Sequence, residues 1–242
     1  MNTPHLLLWF EGPLQSWGVN AKFNRRTTLD FPSRSAVLGI LCAALGAGGE
    51  QKELLAQFAP LAQTVIAYAR RDKKGQAAPA LQLCDFHMVG SGYDDKDPWQ
   101  TLHIPKTSEQ KAAVGGGTKL TYRYYLQDMA FAAALAVPAA LRQELEEAFV
   151  TPCWDVSLGR KCCVPTEFVY RGMHASMDAA LQCAEELAQA KQRMERFRVL
   201  DGEHEGEHVG EHVGEQMILP DVPLQFGTDK LYSERLVTVM VT

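Results

Sequence analysis

The first half of the chain alternates between short runs of consecutive apolar residues and stretches in which apolar residues recur every three or four positions. Residues 5–10 (HLLLWF) are almost continuously apolar, which predicts a buried strand. A helical stripe begins after Ser33, a suitable N-cap, and Gly46 offers a stop. A second short helix (53–63) and a β-rich segment (64–71) follow. The chain therefore opens as strand–helix–strand, for which a right-handed crossover is the default.

The middle of the chain repeats this order of strand and helix. Extended structure is predicted for 80–90 and for 120–128 (LTYRYYLQD), followed by a strand that ends before Pro138 and a helix after it. Two successive β–α units suggest a split βαβ, ferredoxin-like core. Residues 91–119 are rich in Gly, Asp, Pro and Lys. They are too long for an ordinary connection, so this segment is either functional or partly disordered.

The last third is predicted to hold a loop, a helix from Ser176 to about Phe197, and a final strand (LVTVMVT). Before that strand lies the repeat GEHE-GEHV-GEHV-GEQM, whose histidines at 204, 208 and 212 would form a metal-binding ladder on a helix. Glycine at every fourth position opposes that helix by about 1 kcal/mol per residue. We therefore interpret residues 202–216 as a flexible acidic linker, and we expect no metal and no cofactor.

The net charge of −5 does not by itself exclude a nucleic-acid partner. Residues 201–215 contain six acidic side chains and no Lys or Arg, and without them 23 acidic residues face 24 basic ones. Local clusters can then govern binding despite the overall sign. The clusters are Lys22 with Arg25 and Arg26, the segment 70–74, and Arg160 with Lys161.

The N-terminal sequence, the short apolar runs and the cysteine spacing indicate a cytoplasmic protein. The N-terminus has neither a basic lead nor a small-residue cleavage site, and no run approaches the length of a membrane span. The six cysteines form no CxxC pair, which is typical of a reduced compartment rather than of a disulfide framework or a structural zinc site.

No catalytic motif stands out. The chain lacks GxSxG, HExxH and Walker patterns, and the glycines at 115–117 favour a hinge or hairpin tip over a phosphate cradle. His87 with Lys106 and Tyr125 could form a metal-free ribonuclease site, although an isolated histidine in a strand is more often structural. Cys162 and Cys163 follow two basic residues, but two packing cysteines are the default interpretation.

An RNA-binding surface explains more of the pattern. Single-stranded RNA is held by basic and backbone donors at phosphates and by aromatic or Arg planes at bases. Residues 15–18 (QSWG) end the first strand, and a basic patch and the helix start at Arg34 and Ser35 follow. The exposed amides of a helix start favour an anion. A second basic loop with a glycine, SLGRK, lies at 157–161.

Several segments resemble one protein family in the right order along the chain. GP-x-Q-x-WG matches residues 12–18, and FP-[ST]-[RK]-S-x-(L/V)-LG-x-L matches residues 31–41. DFH (85–87), YRYYLQDMAF (122–131) and LGRKCCVP (158–165) are similar to further family segments. The chain resembles the CasD family, a type I-E-like Cascade subunit of CRISPR systems within the RAMP superfamily.

The resemblance implies an α+β fold, a ferredoxin-like (RRM-like) RAMP domain with a protruding thumb β-hairpin and a small C-terminal β-rich region. It places that domain at 1–150 with the thumb at about 88–122, and a C-terminal region at 151–242. It implies a non-catalytic subunit that caps the 5′ handle of the crRNA and bridges the backbone and large subunits of Cascade in antiviral defence. Target DNA would be read indirectly, by base pairing to the guide.

The alternative is a metal-independent endoribonuclease that processes precursor crRNA, as in a related branch of the family. For the RNA-binding function the sequence nominates eleven residues, of which Arg34 at the helix start is the strongest candidate. They are Gln15, Trp17, Lys22, Arg25, Arg26, Arg34, Ser35, His87, Arg123, Arg160 and Lys161. The sequence leaves open whether Trp17 stacks on a base or packs in the core.

Overall fold

The computed structural model describes residues 3–18, 24–89, 96, 109, 119–203 and 214–241. Lys22, Lys106, most of the predicted thumb and the three repeat histidines lie outside these described residues.

In the first half of the chain the elements are β1 (His5–Glu11), β2 (Leu14–Gln15), β3 (Arg25–Arg26), α1 (Arg34–Leu45), α2 (Lys52–Phe58), β4 (Gln63–Arg70) and β5 (Leu81–Val89). In the second half they are β6 (Lys119–Gln127), β7 (Ala130–Ala136), a 3-10 turn (Ala139–Leu141), α3 (Arg142–Val150), β8 (Tyr170–His174), α4 (Met177–Ala190), β9 (Arg193–Asp201), β10 (Glu215–Gln225) and β11 (Leu231–Val241).

Most strands join one large antiparallel sheet in the order β10-β11-β9-β4-β7-β1-β8. Helices α1 and α2 connect β1 to β4, and α3 follows β7 and precedes β8. The molecule is a mixed α/β fold with few helices around a large sheet. Strands from both sides of residue 150 belong to this sheet.

The central strands are apolar on both faces because helices cover both faces. Leu6, Leu8 and Phe10 of β1 belong to the core under α1 and α3, whereas Leu7 and Trp9 belong to the core under α4. Helix α4 presents a stripe of alanines to an equally alanine-rich β7, and small side chains let helix and sheet approach closely. This arrangement explains why the β1 sequence is a continuous apolar run rather than an alternating one.

The predicted limits of α1 are confirmed. Ser33 is the N-cap, with its hydroxyl accepting a hydrogen bond from the Ala36 N–H at 3.2 Å. Gly46 closes the helix in the left-handed conformation, with a φ of 68°.

The predicted helix from Ser176 to about Phe197 is wrong in its last third. Helix α4 ends at Ala190, and β9 begins at Arg193. The turn between them places Gln192 at a φ of 55°, a conformation that sequence rules expect of glycine or asparagine. Neither Gly nor Pro lies between α4 and β9, so the sequence pattern predicts that the helix continues through this turn.

Strand β10 is absent from the sequence prediction, and it contains Pro220 and Pro223, which are unusual in a strand interior. It lies at the edge of the sheet, where proline is tolerated, and its register against β11 shifts between Leu219 and Val222. The final strand is confirmed as β11. Among the described residues, no helix combines the length and the apolar character that crossing a membrane requires.

A network of four charges, with Arg34 and Asp221 buried and the other two partly buried, joins α1 to the C-terminal strands. The Arg34 guanidinium donates to Asp201 at 2.9 Å and to the carbonyl of Phe58 at 2.6 Å. Arg235 donates to both carboxylate oxygens of Asp221, at 2.7 and 2.9 Å, and also contacts Asp201. Burial lowers the pKa of Arg34, and the two carboxylates oppose that effect. Each charge is therefore held by a partner of opposite sign.

We predict that Arg34→Met lowers the free energy of unfolding by about 3–5 kcal/mol, because it leaves Asp201 with one cation fewer inside the protein. Urea titration followed by circular dichroism measures the change. The matched control is Arg70→Met, which removes an arginine that is 66% exposed and paired with Asp128. That change should cost at most about 1 kcal/mol. Equal losses in the two variants would show that the network contributes no special stability.

Candidate nucleic-acid interface

A second, smaller sheet is built around β6. Strand β5 pairs with β6 along its whole length, from Leu81 opposite Gln127 to Val89 opposite Lys119. Strands β2 and β3 occupy successive stretches of the other edge of β6, antiparallel and parallel respectively. The β5–β6 hairpin thus runs from this sheet toward the inserted segment 90–118.

The QSWG segment lies inside this sheet rather than on its surface. Gln15 is fully buried and donates to the carbonyl of Met129 at 2.7 Å, and Trp17 is fully buried against Phe10 and Phe131. The hydroxyl of Ser16 donates to the Tyr124 carbonyl at 3.1 Å. The prediction that Gln15 and Trp17 contact RNA directly is not supported, because neither side chain reaches the surface.

Arg34 is likewise removed from the predicted surface. Its guanidinium is buried in the charge network, and its backbone N–H donates to Asp221 at 2.7 Å. A carboxylate of the chain itself thus occupies the helix start where a phosphate was expected. Ser35, the next residue, is half-buried and hydrogen-bonded to Ser33.

The QSWG segment instead holds the second basic loop in place. The N–H of Ser16 donates to the Leu158 carbonyl at 3.1 Å. A Cβ on Gly159 would lie 1.8 Å from the Ser16 carbonyl oxygen, and one on Gly12 would lie 2.8 Å from the carbonyl oxygen of Val164. Only glycine permits both approaches. The two glycines thus explain part of the GP-x-Q-x-WG and LGRK motifs as a docking of loop on strand.

This docking places Arg160 over the second sheet. Its guanidinium stacks over the Tyr125 ring, 4.6 Å from the centroid, and donates to the Arg26 carbonyl at 2.9 Å. The Tyr125 hydroxyl contacts the Cys162 sulfur at 3.6 Å, and burial raises the pKa of Tyr125. Lys161, next to Arg160, is exposed. The cation–π contact and the hydrogen bond fix the orientation of the arginine.

One face of the second sheet carries charged side chains in a row. Arg26 is opposite Arg123 across the β3–β6 pair, and Arg123 is opposite Asp85 across the β6–β5 pair. His87, two residues along β5, lies on the same face and pairs with Asp85. The structure therefore brings together four of the predicted residues, namely Arg26, His87, Arg123 and Arg160.

The opposite face of this sheet is aromatic, which sequence reasoning missed. Arg25 lies 5.1 Å from the centroid of the Tyr124 ring. Phe86 and Tyr122, 49% and 42% exposed, are neighbours with ring centroids 5.3 Å apart. The alternation in LTYRYYLQD could have revealed this division, since period two separates Tyr122 and Tyr124 from Arg123 and Tyr125.

A groove of about 530 Å³ adjoins the QSWG segment and runs along the outer side of α1. Hydroxyls and glycines line much of it, including Ser33, Ser35, Ser157 and Gly159. Asp155, Lys230, Trp154 and Tyr232 also line it. Such a lining offers hydrogen-bond donors and aromatic surface without a fixed charge pattern.

The ribonuclease arrangement is not assembled among the described residues. His87 is opposite Thr121, four residues from Tyr125 along β6, which corresponds to about 13 Å. Tyr125 itself is buried beneath the Arg160 guanidinium, with its hydroxyl against the Cys162 sulfur, so it is not presented to a substrate beside His87. Within the described part of the chain, no group of three or more His, Cys, Asp or Glu side chains could hold a metal ion.

Comparison with known proteins gives the family. A family model described as CRISPR-associated protein (Cas_Cas5) matches residues 5–238. The chain belongs to this Cas5 family. The resemblance inferred from the sequence motifs is thus confirmed.

One curated protein and two solved structures are similar to this Cas5 chain over most of its length. The protein named CRISPR system Cascade subunit CasD, from Escherichia coli (strain K12), is 29% identical over 180 residues, which cover 72% of this chain and 73% of that protein. A chain of a solved CRISPR RNA-guided surveillance complex matches with a TM-score of 0.69 at 27% identity, covering 98% of this chain and 90% of the other. A crystal structure of a Cas protein matches with a TM-score of 0.59 at 22% identity, covering 98% and 94%, and indicates the same fold.

We predict that Gly159→Ala destabilises the Cas5 chain more than Gly75→Ala. Both glycines have positive φ, 92° and 78°, and each substitution costs about 1–2 kcal/mol in backbone strain. Only at Gly159 would the new Cβ meet backbone, which adds about 1–3 kcal/mol of overpacking. Thermal denaturation of the two variants checks this. A Gly159→Ala protein as stable as Gly75→Ala would show that the loop does not depend on this close approach.

Proposed function

We propose that this chain is a non-catalytic RNA-binding subunit of a CRISPR Cascade surveillance complex and that it holds the 5′ handle of the crRNA. The observation that carries the proposal is the cationic row of Arg26, Arg123 and Arg160 on the second sheet. Family membership supports it, because the Escherichia coli relative is named a Cascade subunit and a structural relative belongs to an RNA-guided complex.

The proposed RNA path follows from the chemistry of the surfaces. Phosphates are bound by Arg26, Arg123 and Arg160, with Lys161 beside them, since guanidinium groups pair with phosphate oxygens in a bidentate manner. The groove beside α1, which includes Ser35, takes the adjoining nucleotides through its hydroxyls and backbone donors. Arg25 and the aromatic face around Tyr124 offer a stacking surface at the far side of the same sheet.

We further propose that the fold is a ferredoxin-like RAMP domain. The strand order β4-β7-β1-β8, with helices after β1 and after β7, is that of a βαββαβ unit. The β5–β6 hairpin is then the base of a thumb that interrupts this unit between its second and third strands. Strands β9 to β11 extend the sheet beyond the unit, which accounts for a β-rich C-terminal region.

The proposed partners are the crRNA, the backbone RAMP subunits and the large subunit, with target DNA reached through the complex in the cytoplasm. In such a complex the guide reads the target by base pairing, so this subunit needs to recognise only the handle and its neighbours. A phosphate-binding arginine surface with few sequence-reading groups suits that role. The burial of Tyr125 beneath Arg160 supports a binding role over the alternative of precursor cleavage.

We predict that replacing Arg26 and Arg160 together by alanine weakens binding of a repeat-derived handle RNA. The slope of log affinity against log salt should become shallower by about 0.7 for each phosphate that the protein no longer neutralises. Arg142→Ala is the matched control, because Arg142 is an exposed arginine on α3 that pairs with Glu146. Filter binding across a salt series, on variants with unchanged circular dichroism, measures both quantities.

Two results would contradict the proposal. One is a double variant with the affinity and the salt slope of the Arg142→Ala control. The other is cleavage of the repeat RNA by the purified chain in EDTA, abolished by His87→Ala, which would make the chain an endoribonuclease.

A further inference from the structure

An apolar cleft lies at the end of α3, on a different part of the chain surface from the arginine row. It has a volume of about 450 Å³ and is formed by the C-terminal end of α3, the loop after it and the segment that enters β8. Its lining is mainly apolar, with Phe149, Val156, Pro165 and Tyr170 among its residues. Here we call it the α3 cleft.

Two large apolar side chains at the α3 cleft are left in solvent. Phe168 is 87% exposed and Val150 is 72% exposed, and both line the cleft. Scattered exposed apolar residues are ordinary, but two that border one concave apolar surface form a patch. Such a patch, with an aromatic residue at its margin, resembles the centre of a protein–protein interface.

The charges around the α3 cleft are negative. Asp155 and Glu167 line it, and Glu146 and Glu147 line a shallower hollow that shares Val150 with it. Glu146 and Glu167 have cationic partners, whereas Asp155 and Glu147 have none within ion-pair distance among the described residues. The carbonyl end of α3 adds partial negative charge, and its last turn contains no basic residue.

We infer that the α3 cleft is a docking site for another protein subunit, which inserts an apolar or aromatic side chain flanked by Lys or Arg. The apolar lining fits the anchor, and Asp155 and Glu147 fit the flanking cations. RNA is disfavoured, because the carboxylates would repel its phosphates. The expectation that this subunit is another member of a Cascade complex rests on the proposed function.

The α3 cleft and the arginine row share one loop. Residues 151–169 carry Arg160 and Lys161 toward the second sheet, and they supply Pro152, Asp155 and Phe168 to the cleft. Asp155 also lines the groove beside α1, whereas Phe168 and Glu147 do not. The two binding events can therefore be tested independently at Phe168 and Glu147.

The test uses the full chain, labelled and titrated against each of the other Cascade subunits encoded beside it, alone and assembled on crRNA. Phe168→Asp should weaken binding to one of these subunits about thirtyfold or more, the loss typical of a hot-spot residue. Glu147→Lys should weaken the same interaction and reduce its salt dependence. The control Ile218→Asp changes a residue that is 64% exposed on β10, and it should stay within about twofold of wild type.

Each variant is also tested for folding by thermal denaturation and for handle-RNA affinity, which the inference expects to be unchanged. Wild-type binding to a subunit by Phe168→Asp, or no binding of the wild-type chain to any subunit, overturns the docking site. Self-association of the wild-type chain that Phe168→Asp abolishes would replace the subunit with a second copy of this chain. Loss of RNA affinity in Phe168→Asp alone would place RNA in the cleft. If no variant or wild-type chain binds RNA but Phe168→Asp still blocks one subunit, the proposed function fails and the docking site stands.

Discussion

A largely buried network of four charges joins helix α1 to the C-terminal strands β9, β10 and β11. Arg34 at the start of α1 and Asp201 at the end of β9 are partners, and Arg235 on β11 holds Asp221 of the edge strand. Asp221 in turn accepts the backbone N–H of Arg34, and Asp201 accepts that of Gln63 at the start of β4. Because unpaired charge is so costly inside a protein, the C-terminal strands fit in only one register relative to α1.

The QSWG segment has a similar organising role for the second sheet. Trp17 and Gln15 contribute packing and a buried hydrogen bond rather than contacts to a ligand. Their neighbour Ser16 holds the loop that contains Gly159, and this loop sets Arg160 above Tyr125. The QSWG motif therefore contributes indirectly to the proposed binding surface, because it positions the loop that carries Arg160.

The overall negative charge of the chain conceals a separation of charge in space. The guanidinium groups of Arg26, Arg123 and Arg160 lie on one face of the second sheet, whereas carboxylates surround the α3 cleft. In solution such groups act over about a Debye length, roughly 8 Å at physiological salt, so local sign matters more than the total. One protein can therefore attract an RNA strand at one surface and a basic protein segment at another.

The sequence alone determined the helix α1 with its Ser33 and Gly46 limits, the apolar strand β1 and the family, since all three depend on short-range patterns and motifs. It also indicated Arg26 and Arg160 as surface cations. It could not show that Arg34 is buried, because its partners Asp201 and Asp221 lie 167 and 187 residues further along the chain. Nor could it show that β9 replaces the end of the predicted helix, because the turn at Gln192 and the pairing with β4 depend on the assembled sheet. Burial and pairing of charge are properties of long-range packing, and only the tertiary structure decides them.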